Sequence, residues 1–230
     1  MTDAHTHIAR EGERAILAEP CVGEAMFYGY HPWYLENYDL ASLRRRLEAN
    51  PRAGVGEIGL DRLRSREIPP RMREAFEAQL ALAAELRRPV VLHGAKCWGQ
   101  VVAACRKYCN NSPDAPGTKH QAPGTIPAFL FHGFSRSGGL VPDIVKLNGF
   151  ISVGPAILND HALNYRELVK SLPLDRVLVE SDATAESAVE TPGAREVAAK
   201  LAELRGIPPG ELESILDRNL AAFFGADLPS

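Results

Sequence analysis

The chain has 230 residues, 26 Lys+Arg against 29 Asp+Glu for a formal net charge of -3, and 45% hydrophobic residues. That length can bury a sizeable core within one domain spanning 1–230, and the slightly negative balance excludes a bulk cationic field that would recruit nucleic acid non-specifically. No apolar run approaches the roughly 20 residues of a membrane span, and the N-terminus lacks the charged-then-apolar order of a secretory signal, so a cytoplasmic protein without membrane contact is expected.

In chain order, residues 1–4 read as a first strand and 14–18 (RAILA) as a marginal second. Short apolar runs at 25–30 (AMFYGY), 53–58 (AGVGEI), 89–93 (PVVLH), 127–132 (PAFLFH), 149–154 (GFISVG) and 176–181 (RVLVES) continue the series as buried strands. Helical patterns fall between them at 38–49, 68–87, 97–109, 137–148 and 160–171, with 194–205 and 209–223 closing the chain. Met72, Phe76, Leu80 and Ala83 mark one apolar helix stripe. Alternating strands and helices imply parallel βα units, and eight strands predict an α/β fold of the (β/α)8 TIM-barrel type. Residues 8–24 are too few for ordinary helices, so the barrel is predicted to be irregular and shortened around its first two strands. The Pro- and Gly-rich stretch 110–126 reads as a surface loop, and Cys21, Cys97, Cys105 and Cys109 show no zinc-type pairing and read as reduced thiols.

Polar residues recur at one place in these units. His5 and His7 follow the first strand, His31 the third, Glu57 the fourth, His93 the fifth, His132 the sixth and Asp182 the eighth. In a parallel barrel those C-terminal ends converge on one mouth. In "MTDAHTHIAR" the positions 3, 5 and 7 share one side of an extended strand, so both histidines face the same way. Imidazoles and carboxylates crowded together call for a divalent metal, and Zn, Mn or Mg all suit parts of this set. Six ligands exceed one tetrahedral site; two ions about 3.5–4 Å apart, bridged by a carboxylate, would share a hydroxide and clamp an in-line displacement.

The blocks "DAHTH" (3–7), "GYHPW" (29–33), "GEIGLD" (56–61), "PVVLHG" (89–94), "FHGFSRS" (131–137) and "LVESDAT" (178–184) resemble, in order, the signature blocks of the TatD family of metal-dependent hydrolases, whose best-known activity is deoxyribonuclease. The resemblance implies that His5, His7, Glu57 and Asp182 hold one ion and that Glu57 bridges to a second held by His93 and His132. It further implies that Asp182 is the catalytic base for the attacking water, that His31 lies near the substrate, and that Arg64 forks onto a phosphate. Glu180 in "LVES" would orient a ligand histidine from behind. The chain departs from the family in its short segment after "DAHTH", in Arg62 and Leu63 where tyrosines are usual, and in Lys96 beside His93.

The expected function is phosphodiester hydrolysis of DNA or a smaller nucleotide compound, with substrate contacts from His31, Arg64 and Lys96. Two alternatives use the same architecture: a carboxyl ester or amide hydrolase, including one acting on an aminoacyl ester of tRNA, and a catalytically silent metal-binding barrel. Arg62, Arg64 and Lys96 near the mouth favour an anionic substrate over a neutral ester.

Overall fold

The computed structural model describes residues 1–109 and 126–225. Its eight strands form one sheet in sequence order, β1 (Thr2–Ile8), β2 (Arg14–Val22), β3 (Phe27–Tyr28), β4 (Gly54–Asp61), β5 (Val90–Ala95), β6 (Phe129–Phe131), β7 (Gly149–Val153) and β8 (Val177–Val179). Every neighbouring pair is parallel. The ring is drawn closed where the Asp182 amide donates to the His5 carbonyl (3.1 Å) and the His7 amide to that of Ala183 (2.9 Å). Helices α1 (Leu40–Ala49), α2 (Pro70–Glu85), α3 (Trp98–Cys105), α4 (Val141–Lys146), α5 (Leu163–Ser171), α6 (Ala194–Arg205) and α7 (Pro209–Phe224) accompany the sheet. The expected TIM barrel is therefore present. Among the described residues, no helix is long and apolar enough to cross a membrane.

Its irregularity takes a specific form. No helix follows β1 or β2, and the shortening falls on these connections and on the two-residue β3. The second strand, expected to be marginal, runs nine residues, and the first continues to Ile8, so His5 and His7 lie within β1 rather than beyond it. Glu57 and His93 likewise lie inside β4 and β5. Apolar runs end where polar side chains begin, but the backbone ladder continues regardless of side-chain polarity, which is why those strand ends were placed too early. Of the expected loop at 110–126, only the buried Ile126 falls among the described residues.

Strand alternation builds the interior in layers. Val91, Leu130, Phe150 and Leu178 meet in an inner apolar cluster with Phe27 and Phe223 of α7. Two residues onward on the same strand face come His93, His132, Ser152 and Glu180. The polar layer is thus stacked on a packed floor of Phe and branched aliphatic side chains. A second cluster fills the space between strands and helices, where Phe76, Leu80 and Ala83 of the predicted stripe are buried and Met72 packs against them.

The glycines of "GVGEIG" serve close strand packing. A Cβ on Gly59 would stand 2.0 Å from the His93 carbonyl oxygen, its register partner on β5. Gly59→Ala should therefore cost about 1–3 kcal/mol of stability through overpacking. Gly99→Ala in α3, where a Cβ meets nothing within 4 Å, should gain about 0.5–1 kcal/mol. Chemical denaturation of the two variants beside wild type measures both.

Candidate metal centre

Glu57 is the centre of the polar layer, with only 3% of its surface exposed. Its two oxygens face two different groups. Oε2 lies 3.6 Å from His5 Nε2 and 3.7 Å from His7 Nε2, and both of these nitrogens also face Asp182 Oδ1, at 3.5 and 3.7 Å. Oε1 lies 2.7 Å from His93 Nδ1, 2.7 Å from His132 Nε2 and 3.6 Å from His31 Nε2. Burial works against charge on Glu57, yet charge on His132 and hydrogen bonds from His132 and His93 hold the carboxyl well below its usual range. Three triads, His5–Glu57–His132, His5–His7–Asp182 and His31–Glu57–His93, each bring one donor atom per residue within 4.8 Å of the others. All six residues expected from sequence as ligands are thus in one place.

Partners behind the imidazoles decide which nitrogen each ring presents. His7 Nδ1–H donates to the Ala18 carbonyl on β2 (2.8 Å), which leaves a lone pair on Nε2, the atom facing Glu57 and Asp182. Burial, then charge on His5, lowers the His7 pKa and keeps that lone pair free of a proton. His93 is gripped from the other side, its Nε2 lying 2.8 Å from Asp61 Oδ2 and its Nδ1 facing Glu57. Asp61 also accepts from the Leu63 amide (2.6 Å), and its own amide points at Met72 Sδ of α2 (3.3 Å). His132 Nδ1 looks toward Glu180 Oε1 at 3.7 Å. That carboxylate is held by the Gly133 amide (2.8 Å) and Ser152 Oγ (2.5 Å).

His31 differs from the others. Its Nδ1 accepts from the Trp33 amide (3.1 Å), so the remaining proton of the neutral ring sits on Nε2, facing Glu57 and His93. The short β3 does not carry the chain as far as His31. Instead Gln79 of α2, 1% exposed, clamps the Tyr30 backbone, accepting from its amide (2.7 Å) and donating to its carbonyl (3.2 Å).

The donor set suits a metal on structural grounds. Both nitrogens of His5 and Nδ1 of His132 are buried without a hydrogen-bond partner among the described residues, and buried polar atoms in that state are costly. Burial opposes charge on His5, as does His132, but the carboxylates of Asp182 and Glu57 raise it to about 9. A buried imidazole whose two nitrogens have no hydrogen-bond partner, set against two carboxylates, is a donor set that fits a cation. Below it Asp3, pushed up to about 6 by burial, accepts from the Ser181 amide (3.1 Å) and ties β1 to the chain after β8.

The expected substrate contacts are distributed differently. His31 lines the mouth cavity, about 430 Å³, together with Trp33, Glu57, His93, His132 and Asp182. Arg64 is exposed and stacks over the Trp33 ring at 4.0 Å rather than entering the ligand cluster. Lys96 lines a neighbouring cavity with Arg62 and Arg136. Sequence reasoning missed Asp61 and Gln79. Asp61 had a signal, since 57, 59 and 61 share one strand face, whereas Gln79 had none, being a polar residue on a helix whose partner is chosen only by packing.

Burial, against a smaller opposing effect of Glu57, lowers the His31 pKa from 6.5 to about 4. In chelated protein its ring resonances should therefore titrate near pH 4 by NMR. Between pH 6.5 and 4 the unfolded chain binds a proton that the folded ring refuses, so this group makes the folded state lose stability as the pH falls through that window.

Residues 13–225 match the family described as TatD related DNase, a stretch that begins after His5 and His7. The 3'-5' ssDNA/RNA exonuclease TatD of Klebsiella pneumoniae (strain 342) is 30% identical over 186 residues, which cover 76% of this chain and 65% of that protein. The uncharacterized metal-dependent hydrolase YcfH of Escherichia coli (strain K12) is 27% identical over 207 residues, 86% of this chain and 73% of that protein. This chain thus spans less than two thirds of the Klebsiella protein's length. Among solved structures, the TatD homolog YJJV of Escherichia coli K12 superposes with a TM-score of 0.69 at 27% identity, covering 94% of this chain and 78% of that one. The chain belongs to the TatD related DNase family of metal-dependent hydrolases.

Proposed function

We propose that the protein is a phosphodiesterase acting on nucleic acid through two divalent ions. The observation that carries this reading is the division of Glu57, whose Oε2 faces His5 and His7, the two rings that also face Asp182, while its Oε1 faces His93, His132 and His31. On this reading His5, His7 and Asp182 would hold one ion, His93 and His132 the other, and Glu57 would serve both. Zn or Mn suits a set richer in imidazole than in carboxylate, and Mg is the alternative. Such ions acidify a water and neutralise charge on phosphoryl oxygens.

The chain's own groups do the rest. Asp182 has 44% of its side chain exposed, so water reaches it, and Oδ1 is the atom turned toward His5 and His7. It accepts the proton of the attacking water as the new P–O bond forms and passes it to the ester oxygen as that P–O bond breaks and the alcohol leaves. His31 Nε2–H, its other nitrogen occupied by the Trp33 amide, donates to a non-bridging phosphoryl oxygen. Its lowered pKa keeps the ring a neutral donor across the physiological range. The name of the Klebsiella relative, a single-stranded DNA and RNA exonuclease, supports nucleic acid as the substrate class.

Elemental analysis of the purified protein should find about two metal equivalents. Chelation should abolish hydrolysis of bis(p-nitrophenyl) phosphate and of single-stranded oligonucleotides, and re-addition of Zn, Mn or Mg should restore it. Asp182→Asn should lower kcat by roughly 10²–10⁴, and Glu57→Gln should lose bound metal. Full turnover by chelated protein, or by Asp182→Asn, would show that the reading is wrong, and faster turnover of p-nitrophenyl acetate would favour carboxyl ester hydrolysis.

Asp61 acts through His93, since its hydrogen bond at Nε2 leaves Nδ1, the atom facing Glu57, as the nitrogen that would hold a metal. Asp61→Ala should weaken binding of metal by about 10–100-fold in competition with a chromophoric chelator. Asp61→Asn, which still offers an acceptor oxygen, should recover part of it.

A further inference from the structure

The mouth is one of three cavities that share walls in series. Asp182 lines both the mouth and a second cavity of about 1270 Å³ between the ends of β6, β7 and β8. Gly133, Ser135 and Arg136 line both that cavity and a third, about 680 Å³, beside the ends of β4, β5 and β6. The second alone exceeds the roughly 300–1,000 Å³ of pockets that enclose a drug-sized molecule, so the series has room for more than one nucleotide.

The chemistry changes along the series. The metal end carries Asp182 and Glu180, with Glu167 and His161 farther along the second cavity. In the third, the charged side chains are Arg62, Lys96 and Arg136, with no carboxylate in its lining. Among the described residues, none of these three side chains is in an ion pair, and Arg62 Nε donates to the Arg66 carbonyl (2.9 Å). Lys96 (φ 57°) and Arg136 (φ 59°) both hold left-handed backbone, disfavoured for any residue with a Cβ and concentrated at functional sites. Apolar surface follows the same path. Of five large apolar side chains exposed among the described residues, Val22 and Tyr34 line the mouth, Leu163 the second cavity and Leu63 the third.

An unneutralised cationic compartment joined to a hydrolytic mouth by a partly apolar cavity fits an extended polyanion bearing apolar rings. We propose that Arg62, Lys96 and Arg136 bind the phosphodiester backbone of a single nucleic-acid strand at nucleotides remote from the scissile bond, with the intervening bases lying along the cavity lined by Leu163. This rests on the phosphodiesterase reading for the mouth and adds a strand-length requirement to it. Arg136 was not singled out from sequence, and Lys96 takes a backbone-holding place apart from the reacting phosphate.

The test uses full-length protein, chelated to prevent turnover, and fluorescein-labelled oligothymidylates of about three and about ten nucleotides, a range spanning typical single-strand site sizes. Wild type should bind the longer strand roughly tenfold more tightly, as several added phosphate contacts require. Arg136→Gly and Lys96→Gly should each weaken that binding by roughly threefold or more and lower its salt slope by about 1. Glycine relieves the left-handed backbone, so neither variant should lose Tm, and Arg136→Lys should restore the slope. The proposal is overturned if both glycine variants, with wild-type Tm, bind the longer strand as wild type does. Metal-loaded wild type assayed for cleavage of the same strands separates the two readings. Cleavage without any effect of Arg136→Gly removes the compartment and leaves the nuclease. Arg136-dependent binding without cleavage removes the nuclease and leaves the compartment.

Discussion

A carboxylate cannot be buried at the centre of a barrel unless its surroundings carry compensating charge. Glu57 meets that constraint with His5, His93 and His132, whose pKa values are raised beside it, while His7 and His31 stand near as neutral rings, all five within 3.7 Å of its oxygens. The arrangement follows from strand geometry. His5 and His7 are spaced by two on β1, Glu57 stands mid-strand on β4, and His93 and His132 occupy the layer above the Val91 and Leu130 floor. Moving any of these strands by one residue would turn its polar group out of the interior, so barrel register and site assembly are one requirement.

Orientation of the rings is a separate matter from their placement. A backbone carbonyl fixes His7, a carboxylate fixes His93 and a backbone amide fixes His31. Consequently His7 directs a lone pair at the carboxylates and His31 an N–H, while His93, its pKa raised against burial by Asp61 and Glu57, donates to both of them. Chemically identical side chains thereby acquire opposite hydrogen-bonding roles within one cavity. The supports themselves sit on rigid elements: Asp61 on β4 beneath Met72, Ala18 on β2, and Gln79 on α2. Gln79 does for the chain after β3 what a longer strand ladder would do, because a side-chain amide offers the same donor and acceptor pair as a peptide group.

The absence of helices after β1 and β2 shapes access. Where a regular barrel would place longer connections, Pro20, Cys21 and Val22 at the end of β2 line the mouth directly. On the other side of β1, Asp182 takes left-handed backbone (φ 52°) just past β8, which leaves its carboxylate both within reach of His5 and His7 and open to solvent. The site is therefore rigid on its buried side and accessible on the side where the chain is shortest.

The fold class, the order of strands and the gathering of six polar residues at one mouth were legible in the sequence because each rests on local signals: short apolar runs, period-two spacing in "DAHTH", and polar residues recurring near strand ends. Strand ends were less so, since β1 continues through His5 and His7 and β3 stops after Tyr28, outcomes set by pairing with neighbours distant in sequence. What only the tertiary structure decided was which atom of each ring faces the centre, that Arg64 stacks on Trp33, and that Arg62, Lys96 and Arg136 gather in one compartment. The sequence by itself determined which groups could meet at one end of a parallel barrel. Packing between elements far apart in the chain determined which of them touch, because a hydrogen-bond partner such as Ala18 or Gln79 is selected by three-dimensional proximity and leaves no periodic trace.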